Sequence, residues 1–160
     1  MTDKLKAKAI RAWTMYDWAN SAFATTIMAA ILPNYFGMFI APEGSVTLWG
    51  YTVAIGSIIA AVISPILGAI ADFKGSKKKF MAFFVGLGVV STALMYLVDT
   101  PSDWLLACVL YIIGTVGFAG SLVFYDALLP HVANSDEIDE VSSRGYAMGY
   151  IGGGLLLLIN

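Results

Sequence analysis

Three sets of residues carry the chemistry of this sequence, because they put polar or ionisable groups where the surrounding chain is apolar. A charge in hydrocarbon costs several kcal/mol unless it pairs, snorkels or faces water. Asp17, Asn20, Ser21 and Thr25, with Ala24 and Met28, recur at three- and four-residue spacing and so fall on one side of a helix. Two readings of that strip stand side by side. It is either an anchor at the end of a membrane span, with Trp13, Tyr16 and Trp18 as interface aromatics, or the lining of a water-filled cavity in which Asp17 meets a substrate, an ion or a proton. Asp126 and Arg144 form a candidate charge pair across a helix bundle. Simple solvation accounts for them equally well, and an exposed pair stabilises by only about 0–1 kcal/mol.

The third set is the run GAIADFKGSKKK at residues 68–79. Gly68 permits close helix contact, Asp72 stands at a helix end where it can pair or face another helix's positive N-terminus, and Gly75 allows a tight turn. Lys74, Lys77, Lys78 and Lys79 then hold the loop on one side of a membrane. A loop that only set topology would need the lysines but not the ordered Gly, Asp and Gly. Upstream, Gly56, Ala60, Ser64 and Gly68 form a small-residue face in step with Asp72, with Pro65 allowing a bend. Gly114, Gly117, Gly120 and Ser121 repeat the theme. Helix packing explains both stripes, and a sliding surface between two halves of a transporter is the functional alternative for the first.

The elements that must hold these residues are membrane helices. Of 160 residues 59% are hydrophobic and 12% charged, with a mean hydropathy of +0.79; a soluble domain has roughly 25% charged residues. Crossing a hydrocarbon core takes about 20 helical residues, and runs of that order lie near 16–41, 48–71, 80–98 and 104–129. A further run at 146–160 is too short to cross, so the chain is expected to stop inside a fifth helix and to be the N-terminal piece of a longer protein, with residues 1–160 a single transmembrane region. The first run carries Asp17 and Asn20 and outlasts the apolar core of a cleaved signal, which favours a retained helix. Lys4, Lys6, Lys8 and Arg11 precede span one, Lys74, Lys77, Lys78 and Lys79 separate spans two and three, and Arg144 precedes the fifth run. These are all 9 Lys and Arg residues, on one side, so the N-terminus is expected in the cytoplasm and the loops 42–47 and 99–103 outside.

Several function classes fall away. A net charge of −2 gives no basic nucleic-acid surface. The single Cys108 and single His131 supply neither a disulfide nor a metal cage. No catalytic Ser/His/Asp set, metal-ligand cluster or phosphate-binding loop is present, so no enzyme, cofactor or ATP-driven pump is expected.

The run at 68–79 resembles the loop between helices two and three of the major facilitator superfamily, in which Gly68, Asp72, Gly75 and Lys77 match the pattern while Phe73 and Ser76 stand where basic residues are usual. The segments WTMYDWANSAF (13–23), PNYF (33–36), YDALLP (125–130) and SSRGYAMGYIGG (142–153) resemble the vacuole-effluxer-like branch, which includes autophagy-related amino-acid exporters. The resemblance implies an all-α membrane protein, part of the N-terminal six-helix half of a major facilitator fold, moving a small solute by alternating access. In that frame Asp17, Asn20, Ser21 and Thr25 are candidate cavity contacts, and Gly68, Asp72, Lys74, Gly75, Lys77 and Lys78 the cytoplasmic gate. The expected partners are membrane lipid, a small solute such as an amino acid, a coupling proton on Asp17 or Asp126, and the C-terminal half of the same transporter. A prokaryotic cytoplasmic membrane is the expected location. The competing reading is a non-transporting membrane scaffold or a nonfunctional remnant.

Overall fold

A computed structural model describes residues 3–41, 45–73 and 75–160, and these are helical almost throughout, with no strand among them. In chain order the helices are α1 (Asp3–Ala22), α2 (Ile31–Tyr35), α3 (Ser45–Phe73), α4 (Lys77–Leu94), α5 (Trp104–Asp126), α6 (Leu129–Val132) and α7 (Ile138–Ile159). π-Helical stretches at Phe23–Ala30 and Phe36–Ile40 join α1 and α2 into one helical segment, Asp3–Ile40. Four segments are long and apolar enough to cross a membrane: Asp3–Ile40, Val46–Phe73, Lys77–Leu97 and Pro101–Val132. With α7 as the fifth long helix, this is the architecture expected of a partial major facilitator fold.

Helix ends differ from the apolar runs because hydropathy does not set them. The first helix begins at Asp3 rather than near residue 16, since the Lys- and Ala-rich start consists of strong helix formers. In the same way α7 begins at Ile138 rather than 146, with Asp139 and Glu140 in its first turn, where acidic groups meet the positive helix end. Pro33 cannot donate a backbone hydrogen bond and crowds the preceding turn. The chain ahead of it widens, and the Ile31 N–H donates to Thr26 O, five residues back. At the α4–α5 connection the Thr100 N–H donates to Asp103 Oδ2 at 3.0 Å and the Thr100 side chain accepts from the Asp103 backbone N–H, a reciprocal capping box with Pro101 in the first turn. Part of the loop expected at 42–47 (residues 42–44) and Lys74 lie outside the described residues.

The chain divides into two compact units. One combines the described residues of Met1–Ile31 with Tyr125–Asn160, and the other is Leu32–Phe124. In the first, α7 packs along α1. In the second, Phe36, Ile40, Val98, Ala107, Cys108 and Leu110 form a buried cluster. Trp49 packs beside it, 4.9 Å from the ring of Phe36 and 4.8 Å from that of Tyr111. The Thr52 hydroxyl donates to Cys108 Sγ at 3.1 Å, which satisfies a buried polar group inside this apolar contact. The face of α3 bearing Tyr51, Ile55, Ile58, Val62 and Ile66 is exposed, as a lipid-facing helix requires.

Candidate functional site

In the first unit the polar strip of α1 meets a glycine face on α7. A methyl group at Gly149 would lie 2.8 Å from Ser21 Oγ and 3.1 Å from Asp17 Oδ2. One at Gly153 would lie 2.7 Å from Thr25 Cγ2, and one at Gly152 would lie 2.7 Å from the Trp18 carbonyl oxygen. Real Cβ atoms do not approach so closely, so only glycine lets the α7 backbone reach this strip. The three polar residues at four-residue spacing, Asp17, Ser21 and Thr25, share the seam; Asn20 is half-buried and not among these closest contacts. The Thr25 hydroxyl donates back to Ser21 O at 3.0 Å. Asp17 is half-buried.

At one end of the seam the Trp13 ring stacks on Tyr125, centroids 4.2 Å apart, and its Nε1–H donates to Tyr125 O at 3.0 Å. Trp13 is therefore a buried packing and hydrogen-bonding residue, not an interface aromatic facing lipid. Gly145 makes room for this arrangement, since a methyl there would sit 2.5 Å from the Trp13 ring and 3.0 Å from Tyr125 Oη. Composition and hydropathy do not reveal this seam. The signal for it is the four-residue spacing of Gly145, Gly149 and Gly153, which matches the spacing of Asp17, Ser21 and Thr25.

The expected pair of Asp126 and Arg144 is not made. Both residues are exposed, and they form no ion pair with each other, because two solvated charges gain little from a fixed geometry. Among the described residues an ion pair joins Lys6 Nζ to Glu137 Oε1. Glu137 Oε1 also accepts from the Asn134 N–H at 2.8 Å. The hydrogen bond and charge of Lys6, with the Asn134 N–H, hold the Glu137 carboxyl below its ordinary range.

The residues of the candidate gate occupy the second unit. Asp72 stands in the last turn of α3 and is exposed; Gly75 and Ser76 form the turn; Lys77 and Lys78 open α4. By the helix dipole alone, an acid at a helix C-terminus and cations at an N-terminus are unfavourable by about 0.3–1 kcal/mol each. The glycines of the motif behave differently from expectation. Gly68 and Gly75 have no neighbour within 4 Å of a built Cβ, and neither has a positive φ. Along the same face the packing is uneven: a methyl at Gly56 would lie 3.6 Å from Thr115 and Ala60 is buried, while Asp72 is exposed. The glycines of α5 are packed tightly, a methyl at Gly117 falling 2.6 Å from the Gly88 nitrogen and 2.8 Å from Phe84 O of α4.

A family model described as "Vacuole effluxer Atg22 like" matches residues 43–140. Among curated proteins the chain is similar to an uncharacterized MFS-type transporter, YxiO, of Bacillus subtilis (strain 168), at 42% identity over 159 residues, covering 96% of this chain and 37% of that protein. It is similar to an uncharacterized protein of Aquifex aeolicus (strain VF5), at 26% identity over 163 residues, covering 99% of this chain and 40% of the relative. It is also similar to autophagy-related protein 22 of Coccidioides immitis (strain RS), at 35% identity over 86 residues, covering 54% of this chain and 14% of the relative. The chain thus spans about two fifths of the length of the first two relatives. No solved structure matches it.

Proposed function

Because this chain belongs to the Atg22-like vacuole effluxer family, we propose that it forms part of a secondary transporter that exports a small solute of the amino-acid class by alternating access. The observation that carries this reading is the half-buried carboxylate of Asp17, held inside an apolar span against the glycine face of α7. A carboxylate in that setting is a default contact for a substrate or ion. Ser21 and Thr25 extend it by one and two helical turns, and Asn20 lies beside it. The exposed Asp72, with Lys77, Lys78 and the sequence position of Lys74, supplies the charged loop of the cytoplasmic gate, facing a C-terminal half not contained in these residues. The protein is integral to the membrane; we place it in a prokaryotic cytoplasmic membrane with its N-terminus inside.

The test is exchange of labelled amino acids in proteoliposomes carrying the product of the whole reading frame, with this chain alone as the control. Exchange by the whole product and none by the chain supports the proposal, and a whole product that moves no amino acid overturns the substrate class. Proton coupling is read in the same assay. If a proton rides on Asp17 or Asp126, the Asp17→Asn or the Asp126→Asn variant loses pH-dependent net transport. Net transport with unchanged pH dependence in both variants would exclude it.

A further inference from the structure

The second unit carries an open surface cavity of about 410 Å³ lined by Tyr35, Met95, Tyr96, Val98 and Asp99, a volume within the range of small-molecule sites. Its wall is fixed by hydrogen bonds. The Tyr35 hydroxyl donates to Val98 O at 3.0 Å. Asp103 Oδ2 accepts from the Thr100 N–H at 3.0 Å, from the Thr100 hydroxyl at 2.6 Å and from the Asp99 N–H at 3.4 Å. Those donors occupy Asp103 and tie down the segment that carries Asp99, the carboxylate in the lining. Tyr96, at the end of span three, is 90% exposed, so no other described residue of this chain covers its ring.

The charge balance around this cavity is one-sided. Within Leu32–Phe124 the Lys and Arg residues are Lys74, Lys77, Lys78 and Lys79, and none lies between Lys79 and Arg144. Along α4 and the turn that follows it, Lys79 and Met95 are separated by roughly 24 Å of helix, well beyond the Debye length of about 8 Å at physiological ionic strength. No cation of this segment therefore neutralises Asp99. Two tyrosine rings attract a cation through their negative faces, a thioether adds a polarizable apolar surface, and an uncompensated carboxylate supplies the counter-charge.

We propose that this cavity binds a small organic ammonium ion, its alkyl groups against Tyr35, Tyr96 and Met95 and its charge toward Asp99. The site is separate from the Asp17 seam, and it stands whether or not the protein transports amino acids. The test uses the chain in lipid nanodiscs and ligand-observed NMR titration with tetramethylammonium, with neopentyl alcohol as the neutral probe of similar shape. Saturable binding of tetramethylammonium, not displaced by the alcohol, is expected. Asp99→Asn and Tyr96→Ala should each weaken it about tenfold, a loss equal to about 1.4 kcal/mol, while Tyr96→Phe, which keeps the ring face, should bind as the parent does. Absence of saturation, equal binding of the alcohol, or an affinity in Asp99→Asn within twofold of the parent would overturn the site.

Discussion

Gly152 and Gly154 stand two residues apart on α7, and the same added methyl group should affect them differently. At Gly152 the methyl meets the Trp18 carbonyl oxygen at 2.7 Å and the Trp18 ring at 2.9 Å, whereas at Gly154 nothing lies within 4 Å. Backbone cannot rotate aside as a side-chain tip can, so Gly152→Ala should destabilise by about 1–3 kcal/mol, the usual result of overpacking. Gly154→Ala should be neutral or slightly stabilising, because it removes glycine's helix penalty of up to about 1 kcal/mol. Thermal unfolding of the two variants in one detergent checks the contrast, and equal melting temperatures would show that α7 does not lie against α1 as described. The same comparison marks what residue types reveal. A glycine in a membrane helix is legible as a packing residue, but its partner is not: Gly117 and Gly149 meet other helices closely, while Gly68, placed on an apparently similar stripe, faces open space. Asp17 was legible as the ionisable group of the first span, and the glycine face opposite it was legible only as a spacing.

Helices followed from the sequence wherever an apolar run exceeded the bilayer thickness, since a backbone in hydrocarbon must satisfy its hydrogen bonds internally. Their ends did not follow, because the starts of α1 and α7 depend on propensity and on charges in the first turn rather than on hydropathy. The π-helical stretch at Phe23–Ala30 was likewise out of reach, with Pro33 as its nearest sequence cause. One inter-element contact offers a direct check on how α1 is seated. Lys6 on α1 pairs with Glu137 at the start of α7, and Glu137 also accepts the Asn134 N–H. The Glu137 carboxyl titrates below its ordinary value of 4.5 in the folded chain. Its contribution to stability is therefore present above the unfolded value and is lost as pH falls through the folded one. Lys6→Ala should move the Glu137 titration, followed by carboxyl NMR shifts, upward toward the ordinary value, and should flatten the decline of stability at acid pH. A Glu137 titration unaffected by Lys6→Ala would mean that the Asn134 N–H alone sets it.

At the scale of the whole molecule the decisive quantity is the sidedness of charge. Each Lys or Arg near the end of a span resists translocation, while acidic residues contribute little; the loops with Asp99, Asp103 and no cation can therefore cross, and those with lysines cannot. All 9 basic residues lie before span one, between spans two and three, or after span four, so a single orientation satisfies every one of them. Four described segments are long and apolar enough to span; if each crosses once, the segment before α7 returns to the side of the N-terminus. Single-cysteine variants give the measurement, because the native Cys108 is buried and should stay silent. Ser102 and Asp136 are both exposed. In intact cells a membrane-impermeant maleimide should label Ser102→Cys and leave Asp136→Cys unlabelled until the membrane is permeabilised. The reverse pattern would place the lysine loop outside and remove the cytoplasmic gate from the proposed function. Labelling of both positions in intact cells would mean that span four does not cross, which would break the major facilitator arrangement at its first half.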